Sequence, residues 1–369
     1  MRTEQVRVGV IGCGRIAGHH CDSILKADGV ELMAVCDLVE EKAANYSKKY
    51  HVPYFLNYRE MFRSLPRINT VAIVTPSGMH FEHATEIMRR YRQNVIVEKP
   101  TFMRPSQVTA SYELAKDLGL QIFPVFQNRY NLAVQRVRRA LQDGELGAIR
   151  IVGVRVRWCR PKRYYDLAPW RGTFSQDGGA LTNQGIHHVD LLRHLGGELH
   201  RVTTVMRTLG ADIEVEDTVV ATMTYANQSV GVLEVTTAAR PDDFEASISL
   251  VCEKGLAQIG GIAVNELQIF TPDSSACSEW SEDFSGCIYG NGHLEMYRDI
   301  SAFFAHQTPY PVDQIDCQKT IQLLHAFYRA NEIGQWLEVN RAGEFKRLGE
   351  ANEALADLYR APLLPGEPS

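Results

Sequence analysis

Val6-Arg-Val-Gly-Val-Ile-Gly12-Cys-Gly14-Arg-Ile-Ala17 is the stretch that decides the fold. A short β-branched run ends in Gly-x-Gly-x-x-Ala, and a helical stretch follows at once. Each small residue has its own steric duty in a turn that carries a strand into a helix beneath a pyrophosphate. Gly12 permits the tight turn, Gly14 lets the phosphates approach the backbone, and Ala17 lets the helix pack close on the strand. The peptide N–H groups of the helix N-terminus then face the anion. A second strand candidate ends Leu32-Met-Ala-Val-Cys36 and is followed by Asp37, placed to accept the hydroxyls of an adenosine ribose. A glycine turn alone would mean little, but strand, turn, helix and acid in this order predict dinucleotide binding. Asp37 would repel a 2′-phosphate, so the cofactor expected is NAD rather than NADP. Arg15 and Ile16, inside the turn, join Gly12, Gly14 and Asp37 as candidate cofactor contacts; Arg15, with Lys42 nearby, is the feature that speaks for NADP.

Working outward, residues 1–127 repeat one rhythm of short apolar runs alternating with amphipathic helical stretches, as a parallel sheet with crossover helices requires. The strand candidates are Val6–Ile11, Glu31–Cys36, Thr70–Val74, Asn94–Val97 and Gln121–Val125, with helices near 15–27, 39–50, 58–63, 79–90 and 105–118. Pro53, Pro66, Pro76, Pro100 and Pro105 fall at the junctions. Beyond residue 127 the pattern changes. A helix near 131–143 precedes a long strand, Ile149–Trp158, then a basic, aromatic loop and a helix over 180–196. Successive strands between 201 and 270 read as an antiparallel meander, and helices near 293–306 and 315–337 close the domain. The expected fold class is α/β, an N-terminal Rossmann parallel sheet followed by a C-terminal α+β domain on a largely antiparallel open sheet. The expected domains are 1–127 for NAD binding, 128–345 for substrate binding and oligomerisation, and a tail, 346–369, frayed at its end.

The chain of 369 residues is roughly two to three single-domain lengths. Its 45% hydrophobic and 22% charged residues exclude disorder as the main state. With 39 Lys and Arg against 44 Asp and Glu, the net charge of -5 gives no field to attract nucleic acid. The eight cysteines, Cys287 among them, form no Cys-x-x-Cys pair, so they read as free thiols and neither a zinc ribbon nor a redox pair is expected. The first residues lack the pattern of a signal peptide and no apolar run reaches membrane-spanning length, so a cytoplasmic protein without membrane partners is expected.

Two further segments lie at carboxyl ends of the parallel strands, where open α/β sheets hold their ligands. They are Thr75-Pro76-Ser77-Gly-Met-His80 and Glu98-Lys99-Pro100. With the glycine turn and the sheet-containing second half, they make the sequence resemble the Gfo/Idh/MocA oxidoreductases over nearly its whole length. The resemblance implies that Lys99 is catalytic, hydrogen-bonding the hydroxyl that is oxidised. It places Glu98 beside the nicotinamide ribose, implies a cis peptide before Pro100, and adds Thr75, Ser77, His80, Gln127, Trp170 and Arg171 to the cofactor contacts. In Asp177-Gly-Gly-Ala-Leu-Thr-Asn183-Gln-Gly-Ile-His187-His188-Val-Asp190, Asn183 stands where the family has Asp, while His187 and Asp190 match. On a continuous helix Asn183, His187 and Asp190 share one face. His187 is the candidate general base, since imidazole titrates near neutral pH. His188 points about 100° away and reads as a satisfied structural histidine. Loss of the usual Asp shifts the chemistry onto Lys99 and His187. No metal is expected, because no ligand-spaced cluster is visible.

Within the family, Gln127-Asn128-Arg129-Tyr130-Asn131, Trp170-Arg171-Gly-Thr, the Asn183 to Asp190 segment and Gly290-Asn-Gly-His293 resemble the group that oxidises C3 of UDP-N-acetylglucosaminuronate to a 3-keto sugar. That implies a nucleotide-sugar substrate bound in a cleft, with Asn183 on the sugar, and a homodimer or homotetramer. A diphosphate and a carboxylate need cationic partners, and Arg129, Arg155, Arg157, Arg160, Lys162 and Arg163 are available, Arg129 and Arg163 foremost. Arg155 and Arg157 alternate with valines and equally read as one face of a strand. An inositol or free-sugar dehydrogenase, or a non-catalytic NAD-binding regulator, are the competing expectations.

Overall fold

The computed structural model describes residues 5–284 and 289–366; Cys287 and the final three residues of the tail lie outside the described residues. In chain order the first elements are β1 (Val6–Ile11), α1 (Ala17–Lys26), β2 (Val30–Cys36), α2 (Glu40–Tyr50), β3 (Tyr54–Phe55), α3 (Tyr58–Ser64), β4 (Thr70–Ile73), α4 (His80–Glu86), β5 (Asn94–Val97), α5 (Pro105–Leu118) and β6 (Ile122–Pro124). They form a six-stranded parallel sheet in the order β3-β2-β1-β4-β5-β6. This is a doubly wound order whose direction of winding reverses between β1 and β4. The central strands are buried almost throughout, as strands covered by helices on both faces must be. The run expected as one helix over 79–90 is instead a 3₁₀ turn, Ser77–Met79, then α4, then a wide π turn, Ile87–Tyr91.

The remaining elements are α6 (Leu132–Gln142), β7 (Ile149–Arg157), α7 (Lys162–Tyr165), α8 (Ile186–Gly196), β8 (Leu199–Arg207), β9 (Thr218–Tyr225), β10 (Val230–Thr236), β11 (Glu245–Cys252), β12 (Leu256–Gly260), β13 (Glu266–Phe270), α9 (Ala276–Glu279), α10 (Gly292–His306), α11 (Gln314–Ile333), β14 (Leu337–Glu338) and α12 (Glu353–Ala356). Eight strands make the second sheet, ordered β13-β12-β11-β7-β10-β9-β8-β14. It is not a simple meander. β7 is inserted between β10 and β11, parallel to β10 and antiparallel to β11. Period-two alternation tells which face a residue occupies but not which strand lies beside it, so sequence could not reveal the insertion. Along β7, Val152, Val154 and Val156 point inward, as do Leu233 and Val235 of β10. The opposite face carries Val205, Val220, Val230 and Val232, all exposed.

The chain divides into two compact units, residues 1–125 with 293–317 and 351–369, and residues 126–292 with 318–350. The segment 293–317, expected in the second domain, thus belongs with the parallel sheet. Phe123 of β6 meets Phe303, Phe304 and Tyr310 edge-on, with ring centroids 5.2–5.9 Å apart. The tail is pinned to the same unit. Arg360 forks onto Glu82 at 2.7 and 2.8 Å, and Asn57 Nδ2 donates to the Pro362 carbonyl at 2.8 Å. Among the described residues, no helix is long and apolar enough to cross a membrane.

Candidate active site

The glycine turn has the stereochemistry that its sequence demands. Gly12 sits at φ +96°, and a Cβ there would lie 2.6 Å from the Val74 carbonyl oxygen, so no L side chain fits. Gly14 is exposed, and a Cβ added to it would meet nothing within 4 Å, leaving backbone open to a bulky anion in front of α1. Ala17 is wholly buried under the sheet. Asp37 is oriented by two backbone donors, Cys13 N–H on Oδ2 and Val39 N–H on Oδ1, each at 2.8 Å. Its carboxylate is therefore fixed beside the turn, each oxygen keeping a lone pair for a further donor such as a ribose hydroxyl. Arg15 is exposed and Ile16 half-buried at the head of α1. An open cradle and an oriented acid fit NAD.

At the ends of β4 and β5 lie Thr75, Ser77, Glu98, Lys99 and Pro100, and the peptide before Pro100 is cis. His80, expected on the cofactor, is instead a brace: it is buried, with Nδ1 2.9 Å from the Pro100 carbonyl and Nε2 3.0 Å from the Thr75 carbonyl. Burial lowers its pKa, and its ring ties one ligand-rim loop to the other. Thr75 Oγ1 in turn meets His83 Nδ1 at 3.0 Å.

Glu98 anchors a buried network that sequence reading missed. Its Oε1 lies 3.0 Å from His20 Nε2 and 3.2 Å from His293 Nε2, and its Oε2 accepts the Lys99 N–H at 3.0 Å. Burial alone would raise its pKa, yet the hydrogen bonds from His20 and His293 outweigh it and hold the carboxyl well below its ordinary value. A carboxylate only accepts, so both histidines donate through Nε2–H. His20 Nδ1 then accepts from Tyr297, whose hydroxyl burial keeps protonated, at 2.8 Å. The three ligand atoms lie within 4.8 Å of one another, a spacing that a metal ion could bridge, although hydrogen bonds already account for it. The network joins α1, the end of β5 and α10. Residues 20, 98 and 293 are far apart in the chain, so no spacing signal could have announced it.

In the second unit the expected continuous helix over 180–196 is broken. Ala180–Gln184 forms a π turn, and α8 begins after Gly185. Asn183 lies within that π turn. Its amide donates to Asp177 and its Oδ1 accepts from Gln184 Nε2 at 2.6 Å. Beneath the turn Glu216 is wholly buried: Oε1 accepts the Leu181 N–H at 3.0 Å and the Tyr328 hydroxyl at 2.9 Å. Burial pushes this carboxyl up to about 8. Gly179, at φ +76°, lies against the carboxyl so closely that an added Cβ would overlap it, which explains the Gly-Gly run before the turn.

On α8, His187 Nε2 lies 3.0 Å from Gln127 Nε2. One turn on, Asp190 receives Arg129 bidentately, Nε at 2.7 Å and Nη2 at 2.6 Å, with Thr320 Oγ1 at 3.0 Å. Burial would raise the Asp190 pKa, but Arg129 and Thr320 hold it below its usual value. Arg129, expected to grip a substrate anion, is thus engaged by Asp190. The same holds along the basic stretch: Arg157 pairs with Glu234, Arg160 with Asp243 and Lys162 with Asp166. Arg163 is exposed. Arg171 stacks over Tyr164 and Trp170, 4.3 and 4.6 Å from their centroids, and its buried Nε has no hydrogen-bond partner among the described residues. His188, expected to be satisfied, is not. It is wholly buried, neither ring nitrogen has a partner among the described residues, and burial lowers its pKa to about 4. It packs edge-on to Trp158.

A doubly wound sheet with an open phosphate cradle and an oriented ribose acid defines a dinucleotide-dependent enzyme. Residues 6–126 match the oxidoreductase family with an NAD-binding Rossmann fold, and residues 134–258 match the GFO/IDH/MocA C-terminal domain. The chain belongs to the Gfo/Idh/MocA family and is an NAD-dependent oxidoreductase. It is similar to the WlbA dehydrogenase of Bordetella pertussis, whose structure holds NADH and UDP-GlcNAcA, at 31% identity over 92% of this chain and 99% of that one, TM-score 0.85. WlbA of Chromobacterium violaceum, with the same two ligands, is 32% identical over 92% and 97%, TM-score 0.83. The D-glucoside 3-dehydrogenase of Escherichia coli is 26% identical over 92% and 99%.

Proposed function

We propose that this dehydrogenase oxidises the C3 hydroxyl of a UDP-linked N-acetylglucosaminuronate to the 3-ketone. The observation that carries the reading is its full-length likeness, above 30% identity, to two dehydrogenases crystallised with UDP-GlcNAcA. A free glycoside is the competing substrate, on the strength of the D-glucoside 3-dehydrogenase.

The reaction is R₂CH–OH + NAD⁺ → R₂C=O + NADH + H⁺. Bound NAD⁺ supplies the hydride acceptor. His187 takes the hydroxyl proton, and Lys99, as ammonium, donates a hydrogen bond to the developing alkoxide. Glu98 fixes the Lys99 backbone through its N–H, and Asn183, held by Asp177 and Gln184, positions the sugar. Arg163 and Arg171 serve the substrate and cofactor anions, since Arg129, Arg157, Arg160 and Lys162 already have acidic partners. The valine-rich outer face of the second sheet packs on another copy of the chain, because a single-layer sheet must cover an apolar second face. The test is NADH formation with UDP-N-acetylglucosaminuronate. Lys99→Ala and His187→Asn should each lose at least about a hundredfold in kcat while still binding NADH; full turnover by both would sink the assignment.

A further inference from the structure

We infer that His20 is a positioning residue for Lys99, acting through the Glu98 carboxylate. The inference rests on the proposed role of Lys99 at the developing alkoxide. At the end of β5 the Lys99-Pro100 dipeptide is gripped at both ends. Glu98 Oε2 accepts the Lys99 N–H at 3.0 Å, and His80 Nδ1 lies 2.9 Å from the Pro100 carbonyl oxygen. Wherever the Glu98 carboxylate is held, the backbone of the lysine is held with it.

His20 is placed to do the holding. Glu98 is 5% exposed and His20 0%, so bulk water does not compete for their 3.0 Å hydrogen bond. The His20 ring is anchored at its other end, where Nδ1 meets the Tyr297 hydroxyl at 2.8 Å. It also lies edge-on to Tyr297 and His293, with centroids 5.8 and 4.9 Å away. His293, Tyr297 and Ser301 recur every fourth residue along α10 and so share one face. Ser301 fastens that face to the turn after α1: its hydroxyl donates to the Asp28 carbonyl at 2.8 Å, and a Cβ at Gly29 would lie 2.5 Å from Ser301 Oγ. His293 donates to the same Glu98 oxygen at 3.2 Å, but its Nδ1 has no hydrogen-bond partner among the described residues. Of the two histidines, His20 is therefore the one fixed through both ring nitrogens.

The consequence follows from the torsional freedom of a carboxylate. Its terminal bond has a broad, shallow rotational profile, so a carboxylate held only by one backbone N–H can swing and take that peptide with it. A ring N–H on Oε1 stops the swing and keeps Oε2 on the Lys99 N–H, and a hydrogen bond to an ionised acceptor is stronger than a neutral one. Because α1 begins at the glycine turn, His20 also ties the strand end that carries Lys99 to the helix whose N-terminus fronts the phosphate cradle.

The experiment is a double-mutant cycle in the full-length enzyme, with His20→Leu and His20→Gln made alone and together with Lys99→Ala. The rate is kcat at saturating NAD and UDP-N-acetylglucosaminuronate, or methyl D-glucoside should that prove the better substrate. His20→Leu removes the donor and should lower kcat about tenfold or more. His20→Gln offers an amide N–H to Oε1 and should restore kcat to within about threefold of the wild type. In the Lys99→Ala enzyme His20→Leu should cost less than about twofold, because the side chain that His20 places is gone. A loss by the same factor in both backgrounds, or no loss in either, refutes the role of His20 and leaves that of Lys99 standing. Lys99→Ala at the wild-type kcat would show the assignment of Lys99, and the inference with it, to be wrong. Tyr297→Phe deletes one hydroxyl and carries the same cycle should the leucine variant not fold. A loss of about threefold or more confined to the enzyme that has Lys99 is expected, and an equal loss in both backgrounds refutes the inference.

Discussion

Replacing Glu216 by glutamine should change how the stability of this enzyme depends on pH. In the fold the carboxyl is wholly buried and pushed up to about 8, whereas in the unfolded chain it titrates as an ordinary glutamate near 4.5. Below the lower value both states hold the proton. Between the two values unfolding releases it, so stability falls as pH rises, by roughly 1.4 kcal/mol per pH unit for this one group. Above the higher value both states are ionised and the effect levels off. From pH 5 to 8 the wild type should therefore lose about 4 kcal/mol that the Glu216→Gln variant would not lose, a relative displacement of roughly 8–16 °C in Tm at the size of the second unit. The amide keeps an oxygen for Leu181 N–H and Tyr328, and any constant cost of its buried NH₂ cancels because the slope is what counts. Thermal unfolding of both proteins at pH 5, 6.5 and 8 and fixed ionic strength measures it. Parallel curves across that range would refute the burial argument.

Arg129→Met strands a buried carboxylate and should cost about 3–5 kcal/mol at pH 6 by urea unfolding. Because the Asp190 pKa is held below its ordinary value, the pair's contribution is present at neutral pH and lost in acid, so the gap from wild type should narrow below about pH 4. Asp37→Ser should reduce the preference for NAD over NADP by about tenfold or more in kcat/KM, through loss of a charge opposed to the 2′-phosphate. Val220 is 53% exposed and Val232 48%; if this face carries the proposed self-association, converting both to arginine should lower the mass seen by light scattering to that of one chain while NADH binding persists, and an unchanged mass would refute the association.

The first unit was nearly legible from sequence because its logic is local. A buried parallel strand is a short apolar run, and Gly12 and Gly14 serve steric needs that no other residue meets, so turn, strand ends and Asp37 could be located by reading along the chain. What escaped depends on partners distant in sequence. The Glu98 network draws on His20 and His293, the membership of α10 in the first unit on Phe123, and the insertion of β7 on pairings that alternation does not encode. The second half of the site misled for a related reason. Its helical spacing put Asn183 with His187 and Asp190, but not with Asp177, the acid its amide meets, nor did it announce the π turn under which Glu216 and Tyr328 lie. Arg129 read as a cation available to substrate only because its acid lies 61 residues away.

The central claim is the substrate. Initial rates of NADH formation should be compared for UDP-N-acetylglucosaminuronate, a methyl D-glucoside and myo-inositol, with the product position assigned by NMR. The account predicts a kcat/KM at least about a hundredfold higher for the UDP-uronate and a ketone at C3. A glucoside or inositol turned over as well or better, or oxidation at another carbon, would contradict it.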